Sequence, residues 1–68
     1  MTNEQKFIID HLLGQLVQLI MEDQGTDLQT ALDMLYTSPQ YEQITDVETG
    51  LYLQSADYNY ENFISTEQ

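Results

Sequence analysis

His11 is the only histidine of the chain and lies next to Asp10, and a histidine with a carboxylate can perform general acid–base catalysis. Adjacent residues of a helix point about 100° apart, so these two side chains do not form a base and its orienting partner. The chain also lacks a cysteine nucleophile and a Gly-x-Ser-x-Gly motif. We therefore predict a solvated His11, no catalytic residues and a protein that is not an enzyme.

Asp46, Glu48 and Gly50 have a spacing similar to that of a calcium-binding loop. Such a loop has its glycine at position six and a bidentate glutamate at position twelve. In this chain the glycine falls at position five, and position twelve is Asp57. The segment therefore predicts a capped turn without a metal, and we expect no cofactor elsewhere.

Acidic side chains dominate the charge of the chain. Twelve Asp and Glu residues stand against one basic residue, Lys6, and give a formal net charge of −11. Non-specific binding to DNA or RNA needs clustered Lys and Arg, and an anionic membrane surface repels an acidic protein. We therefore expect neither nucleic acid nor membrane as a partner. Two interpretations stay open: a solubilising surface, or an acidic face that meets a basic protein or imitates a phosphate backbone.

The chain is also rich in tyrosine. Five tyrosines occur among 68 residues, at positions 36, 41, 52, 58 and 60. Tyrosine is enriched at interfaces because its ring packs while its hydroxyl stays hydrated, and it borders small cores for the same reason. Tyr58 points away from the face that carries Tyr60 and Ile64, which makes it the best interface candidate of the last helix.

The length of 68 residues, with 41 % hydrophobic residues, predicts a single small helical domain over residues 1–68. A core of this size is marginal, and small domains gain stability from disulfides, a metal or association. The chain has no cysteine, so association is the remaining source. No targeting segment is visible, and Asp10 and His11 interrupt the apolar stretch 7–21, so we expect a cytoplasmic protein.

Residues 4–24 have the periodicity of one long helix, with a capping-box spacing at Thr2 and Gln5 and a left-handed stop at Gly25. Its broad apolar face contains Ile8, Ile9, Leu12, Leu13, Leu16, Leu19 and Ile20. A narrow polar strip contains His11, Gln15, Gln18 and Glu22. A second apolar strip contains Phe7, Gly14 and Met21, with Val17 beside it. Two apolar faces predict a central helix that is packed on two sides.

Gly14 has two interpretations with equal weight. A glycine inside a helix costs about 1 kcal/mol relative to alanine, so it either marks a close helix crossing or is simply tolerated.

Three shorter helices follow in the predicted fold. The second spans 27–36 after a capping box at Thr26 and Gln29, and the third spans 39–45 with Ser38 as its cap. Residues 46–50 predict a turn, and residues 51–54, apolar at alternate positions, predict a short extended segment near residue 52. Ser55 then caps a last helix over 56–65. The expected class is all-α, a small four-helix domain with a long central first helix.

The segment from Ala31 to Phe63 resembles a family of short uncharacterised bacterial helical proteins, a domain of unknown function. The residues that carry the resemblance are Leu35-Tyr36-Thr37-Ser38-Pro39-Gln40-Tyr41 and Glu48-Thr49-Gly50-Leu51-Tyr52-Leu53-Gln54-Ser55, the second matching the "ETGLYxxS" segment before a Tyr-rich last helix. The resemblance implies a cytoplasmic accessory member of a small gene cassette that acts through a protein partner. It implies no catalytic or binding residues.

The sequence thus predicts a non-enzymatic protein–protein interaction module that forms a homodimer. The residues that we expect at the interface are Phe7, Gly14, Val17, Met21 and Tyr58. The alternative function is an acidic antitoxin-like or nucleic-acid-mimic inhibitor of a basic protein.

Overall fold

A computed structural model describes residues 2 to 67 of the chain. Four α-helices and two short 3-10 turns make up this part. The helices are α1 (Asn3–Gln24), α2 (Leu28–Tyr36), α3 (Pro39–Thr45) and α4 (Ala56–Glu67), and the 3-10 turns between α3 and α4 are Val47–Thr49 and Leu51–Leu53. The described residues contain no β-strand, so the predicted all-α class and the four helices are confirmed.

The predicted capping box of α1 is present. The Thr2 hydroxyl accepts a hydrogen bond from the Gln5 backbone N–H at 3.0 Å, and the Gln5 side chain accepts one from the Thr2 N–H at 2.9 Å. The helix ends at Gly25, whose φ of 66° lies in the left-handed region and whose N–H donates to the Met21 carbonyl. The sequence therefore predicts both ends of the longest helix.

The predicted capping box of α2 is wrong. Asp27, not Thr26, is the cap, and its carboxylate accepts a hydrogen bond from the Thr30 N–H at 2.9 Å. Hydrogen bonds from the side chain and the backbone of Thr30 lower the pKa of Asp27. A carboxylate at the positive end of a helix competes better for this position than a hydroxyl one residue earlier. The Thr26 hydroxyl is left buried without a hydrogen-bond partner in the described structure.

Serine caps begin the last two helices as predicted. The Ser38 hydroxyl accepts from the Tyr41 N–H at 3.2 Å, with Pro39 in the first helical position. The Ser55 hydroxyl accepts from the Tyr58 N–H at 3.1 Å. Each cap satisfies a helix N–H that has no carbonyl partner within its helix.

The extended segment predicted near residue 52 is a 3-10 turn instead. Gly50 adopts a φ of 71°, and the Leu53 N–H donates to the Gly50 carbonyl at 3.1 Å. A strand would place Leu51 and Leu53 on one face. In the tighter turn Leu51 packs against the core while Leu53 is 67 % exposed.

Helix α1 is the central element, as predicted. It packs against α2, against α4 and against the second 3-10 turn. Leu16 and Ile20, in the middle of its broad face, are fully buried. The buried hydrophobic core consists of Ile9, Leu12, Leu16, Val17, Ile20, Ala31, Leu35, Ile44 and Phe63. Ile8 departs from the predicted face, since its side chain is 39 % exposed.

Two buried amides join the second half of the chain. Gln40 and Asn59 are 1 % and 0 % exposed, and the Gln40 side chain donates to the Asn59 side-chain oxygen at 2.9 Å. Asn59 in turn donates to the carbonyls of Leu51 and Ser55, at 3.0 and 3.1 Å. One asparagine therefore links α3, the second 3-10 turn and the start of α4.

Candidate interaction surfaces

The residues that first suggested chemistry lie in ordinary structural positions. His11 is exposed on α1. Asp46 caps the first 3-10 turn by accepting a hydrogen bond from the Glu48 N–H at 3.1 Å, as the prediction of a capped turn requires. Among residues 2 to 67 there is no group of three or more His, Cys, Asp or Glu side chains that could hold a metal ion.

The second apolar strip of α1 divides into exposed and buried members. Phe7 is 74 % exposed, Gly14 is exposed, and Met21 is half-buried. Val17, which we predicted at the interface, is only 7 % exposed and belongs to the core. The physical reason is that α2 packs along this side of α1 and covers position 17 with its own apolar residues. The surface that remains available consists of Phe7, Gly14 and the edge of Met21.

A groove lies beside this strip, between α1 and α2. Its volume is about 290 Å³. It is lined by Asp10, Leu13, Gly14, Val17, Leu32 and Tyr36. We call it the α1–α2 groove.

Gly14 forms no close helix crossing within residues 2–67. A Cβ atom built at this position would meet nothing within 4 Å. The glycine therefore leaves the wall of the α1–α2 groove open, and the cost of about 1 kcal/mol in helix propensity is not offset by any contact inside the described chain.

Some tyrosines lie on the surface and others border the core. Tyr36 and Tyr58 are 53 % and 48 % exposed, so Tyr58 lies on the surface as expected of an interface candidate. Tyr41, Tyr52 and Tyr60 are half-buried and pack against the core. Tyr52 accepts a hydrogen bond from the Gln5 side chain at 3.2 Å, which joins the start of α1 to the second 3-10 turn.

A phenol–carboxylate hydrogen bond joins the end of α1 to α4. The Tyr60 hydroxyl donates to an Asp23 carboxylate oxygen at 2.6 Å. Burial raises the pKa of Tyr60, and the hydrogen bond to Asp23 raises this pKa further. The neutral phenol is thus the form that the folded chain stabilises.

Every acidic side chain that the structure describes up to residue 65 is exposed. Within that part of the chain the one salt bridge joins Lys6 to Asp10, at 3.2 Å, and both side chains are more than half exposed. Such a surface pair stabilises a helix by only a few tenths of a kcal/mol. The remaining carboxylates have no cationic partner in the described residues.

A second concave surface, the α1–α4 cleft, lies on the other side of α1, where the start of α4 packs. Its volume is about 500 Å³. From α1 it is lined by Gln15, Gln18, Leu19 and Glu22, and from the other side by Ser55, Ala56 and Asp57. The sequence predicted the polar strip of α1 but not the cleft. Residues 55–57 lie more than thirty positions away along the chain, and no local pattern indicates that they pack beside this strip.

Comparison of the chain with protein-family models, with curated proteins and with solved structures gives no match. Within the described part of the chain, no helix has both the length and the apolar character that crossing a membrane requires.

Proposed function

We propose that this chain is a non-enzymatic protein-interaction module that forms an antiparallel homodimer through α1. The observation that carries the proposal is a large apolar side chain, Phe7, that is 74 % exposed and lies two helical turns from the open α1–α2 groove at Gly14. A projecting ring and a recess on one helix face are complementary parts of a self-association surface.

The spacing of the two features fits an isologous contact. Phe7 and Gly14 are seven residues apart, which is about 10.5 Å along a helix and close to two full turns. In an antiparallel pair of α1 helices, we place a two-fold axis midway between these residues and perpendicular to the helices. This axis brings Phe7 of each copy level with Gly14 of the other. Each ring then enters the partner's groove, so one set of residues forms both halves of the interface.

The charge on this face of α1 also allows a second copy of the chain to bind there. Two chains of net charge −11 repel one another, so contact is least costly where unpaired carboxylates are fewest. Asp10 borders the groove, and its charge is offset by Lys6, the only Lys or Arg residue of the chain. Lys6 thus offsets the acid that borders the groove, whereas Glu4, which lies beside Phe7, keeps its charge.

The size of the domain supports association as well. A chain of 68 residues buries a smaller share of its surface than a larger domain does, and it gains from a second apolar contact. The resemblance of residues 48–55 to the bacterial family supports a cytoplasmic accessory role within a gene cassette as the setting of such a module.

The direct test is sedimentation equilibrium of the wild-type chain and of Phe7→Ser. We expect a wild-type dimer at micromolar concentration and a dimer Kd at least about tenfold higher for Phe7→Ser, because the ring is the largest apolar group of the contact. Leu53→Ser is the matched control, since Leu53 is 67 % exposed but lies on the second 3-10 turn. A wild-type species that remains at 7.9 kDa up to millimolar concentration would remove the proposal.

Gly14→Ala distinguishes a functional glycine from a tolerated one. The substitution has room for its Cβ in the isolated chain, so helix propensity alone should stabilise the monomer by up to about 1 kcal/mol. If the partner's ring occupies this recess, the added methyl group should also raise the dimer Kd several-fold. Gln15→Ala, one residue further on the exposed surface, should leave the dimer Kd within about twofold. Equal dimer affinity in both variants contradicts the proposed crossing.

A further inference from the structure

The α1–α4 cleft is lined by apolar side chains and by side chains that carry hydrogen-bond acceptors. Leu19 and Ala56 are half-buried and pack against the core, which fixes the apolar part of the lining in place. Gln15, Gln18, Glu22 and Asp57, whose side chains carry amide or carboxylate groups, also line the cleft. Glu22 is oriented by a hydrogen bond that its carboxylate accepts from the Gln18 side chain at 3.3 Å. The cleft therefore combines apolar surface with negative charge.

An arginine side chain has the matching construction. Its three methylene groups pack on apolar surface while its guanidinium carries a positive charge and five N–H donors in a planar fork. Carboxylates accept such donors in pairs, and amide oxygens accept the remainder. A lysine ammonium offers the charge but not the planar fork of donors, so it matches paired carboxylate and amide acceptors less well.

No group of the chain itself supplies that cation. Lys6 is the only Lys or Arg residue, it is paired with Asp10, and it precedes Glu22 on α1 by sixteen residues, or about 24 Å of helix. His11 shares the polar strip of α1 but precedes Glu22 by eleven residues, or about 16 Å of helix. A second copy offers only the same paired lysine and the same histidine, and no arginine. An arginine that binds this cleft therefore belongs to a different protein, whose charge complements that of the cleft.

We infer that the α1–α4 cleft binds an arginine side chain on a basic segment of a partner protein. Leu19 and Ala56 contact its methylene groups, and Glu22 and Asp57 bind its guanidinium. The exposed carboxylates elsewhere on the molecule attract the basic segment from a distance. The inference does not rest on the homodimer, because the cleft lies on the other side of α1 from the α1–α2 groove.

A fluorescent hexa-arginine peptide is the probe, and binding is measured by anisotropy at low salt. The test variant is the pair Glu22→Gln with Asp57→Asn, which removes both charges from the cleft and keeps the side-chain shapes. The matched control is Asp33→Asn with Glu42→Gln, which removes two exposed charges from α2 and α3. Asp33 accepts a hydrogen bond from Gln29 four residues earlier, as Glu22 does from Gln18, so the two variants are alike locally.

We expect the cleft variant to bind hexa-arginine about tenfold more weakly than wild type and the control variant within about threefold of it. Hexalysine should bind the wild-type chain more weakly than hexa-arginine. Amide NMR shifts on titration should cluster in residues 15–22 and 55–57. Equal weakening in both variants, equal affinity for the two peptides, or no binding to hexa-arginine would each overturn the assignment.

Discussion

Asn59 shows how one polar residue can determine the arrangement of three elements. Its side-chain oxygen accepts from Gln40 in α3, and its amide group donates to the carbonyls of Leu51 and Ser55. The residue is fully buried, so none of these groups has water as a substitute partner. Any other packing of α3 against α4 would leave several of these groups unsatisfied.

Asn59→Ala should therefore destabilise the fold by about 2–4 kcal/mol, because the Gln40 amide and the Leu51 carbonyl lose their partner inside the protein. The measurement is urea unfolding followed by circular dichroism at a protein concentration well below the dimer Kd. Asn62→Ala is the control in the same helix, where the side chain is partly exposed, and should cost less than about 1 kcal/mol. Equal losses in the two variants would contradict the structural role of Asn59.

At the level of single residues, the sequence predicts contacts between near neighbours and misses distant ones. The caps formed by Thr2, Ser38 and Ser55 act over three residues, so their spacing is visible in the chain. Asn59 meets Gln40 across nineteen positions and Leu51 across eight, and no local pattern indicates either contact. Thr26 and Asp27 are both residue types that cap helices, and only the folded geometry shows which of the two adjacent residues caps α2.

At the level of elements, helical periodicity predicts the direction of a face more reliably than its width. Leu16 and Ile20 lie at the middle of the broad face of α1 and are fully buried as expected. Errors occur at its edges, where Ile8 is exposed and Val17 is buried. The width depends on how far α2 and α4 extend around α1, and this is a property of the neighbours. The α1–α2 groove and the α1–α4 cleft lie at those edges, so the sequence did not predict them either.

Leu16→Asp should unfold the chain, because an unpaired charge in the core costs several kcal/mol, which is comparable with the whole stability of a small domain. Gln18→Asp introduces the same side chain on the exposed face of the same helix and should lower the free energy of unfolding by less than about 1 kcal/mol. Far-UV circular dichroism and thermal melts compare the two. Similar losses would show that the faces of α1 are assigned incorrectly.

At the level of the whole molecule, net charge opposes the compact state. The formal charge of −11 is held within a body of 33 × 21 × 19 Å. At about 10 mM salt the Debye length is about 30 Å, so every carboxylate interacts with nearly all the others. This repulsion acts on the folded chain and on any second copy that approaches it.

Raising the salt concentration from about 10 mM to about 500 mM should therefore increase Tm by about 5 °C, which corresponds to roughly 1 kcal/mol for a domain of this size. Self-association should strengthen over the same range, whereas binding of hexa-arginine should weaken, because screening reduces repulsion and attraction alike. Asp33→Asn with Glu42→Gln lowers the negative charge by two and should reduce the salt dependence of Tm. A Tm that is independent of salt would show that self-repulsion does not limit stability.

The single lysine of the chain, Lys6, has a practical consequence. Trypsin cleaves after lysine and arginine, so within these 68 residues it has one target bond, between Lys6 and Phe7. That bond lies inside α1, and the helix must open locally before a protease can cleave it. Cleavage there reports fraying of the first turns of α1 without interference from any other site. The same bond adjoins the ring that the proposed dimer covers, so the chain carries an intrinsic proteolytic marker for the state of that surface.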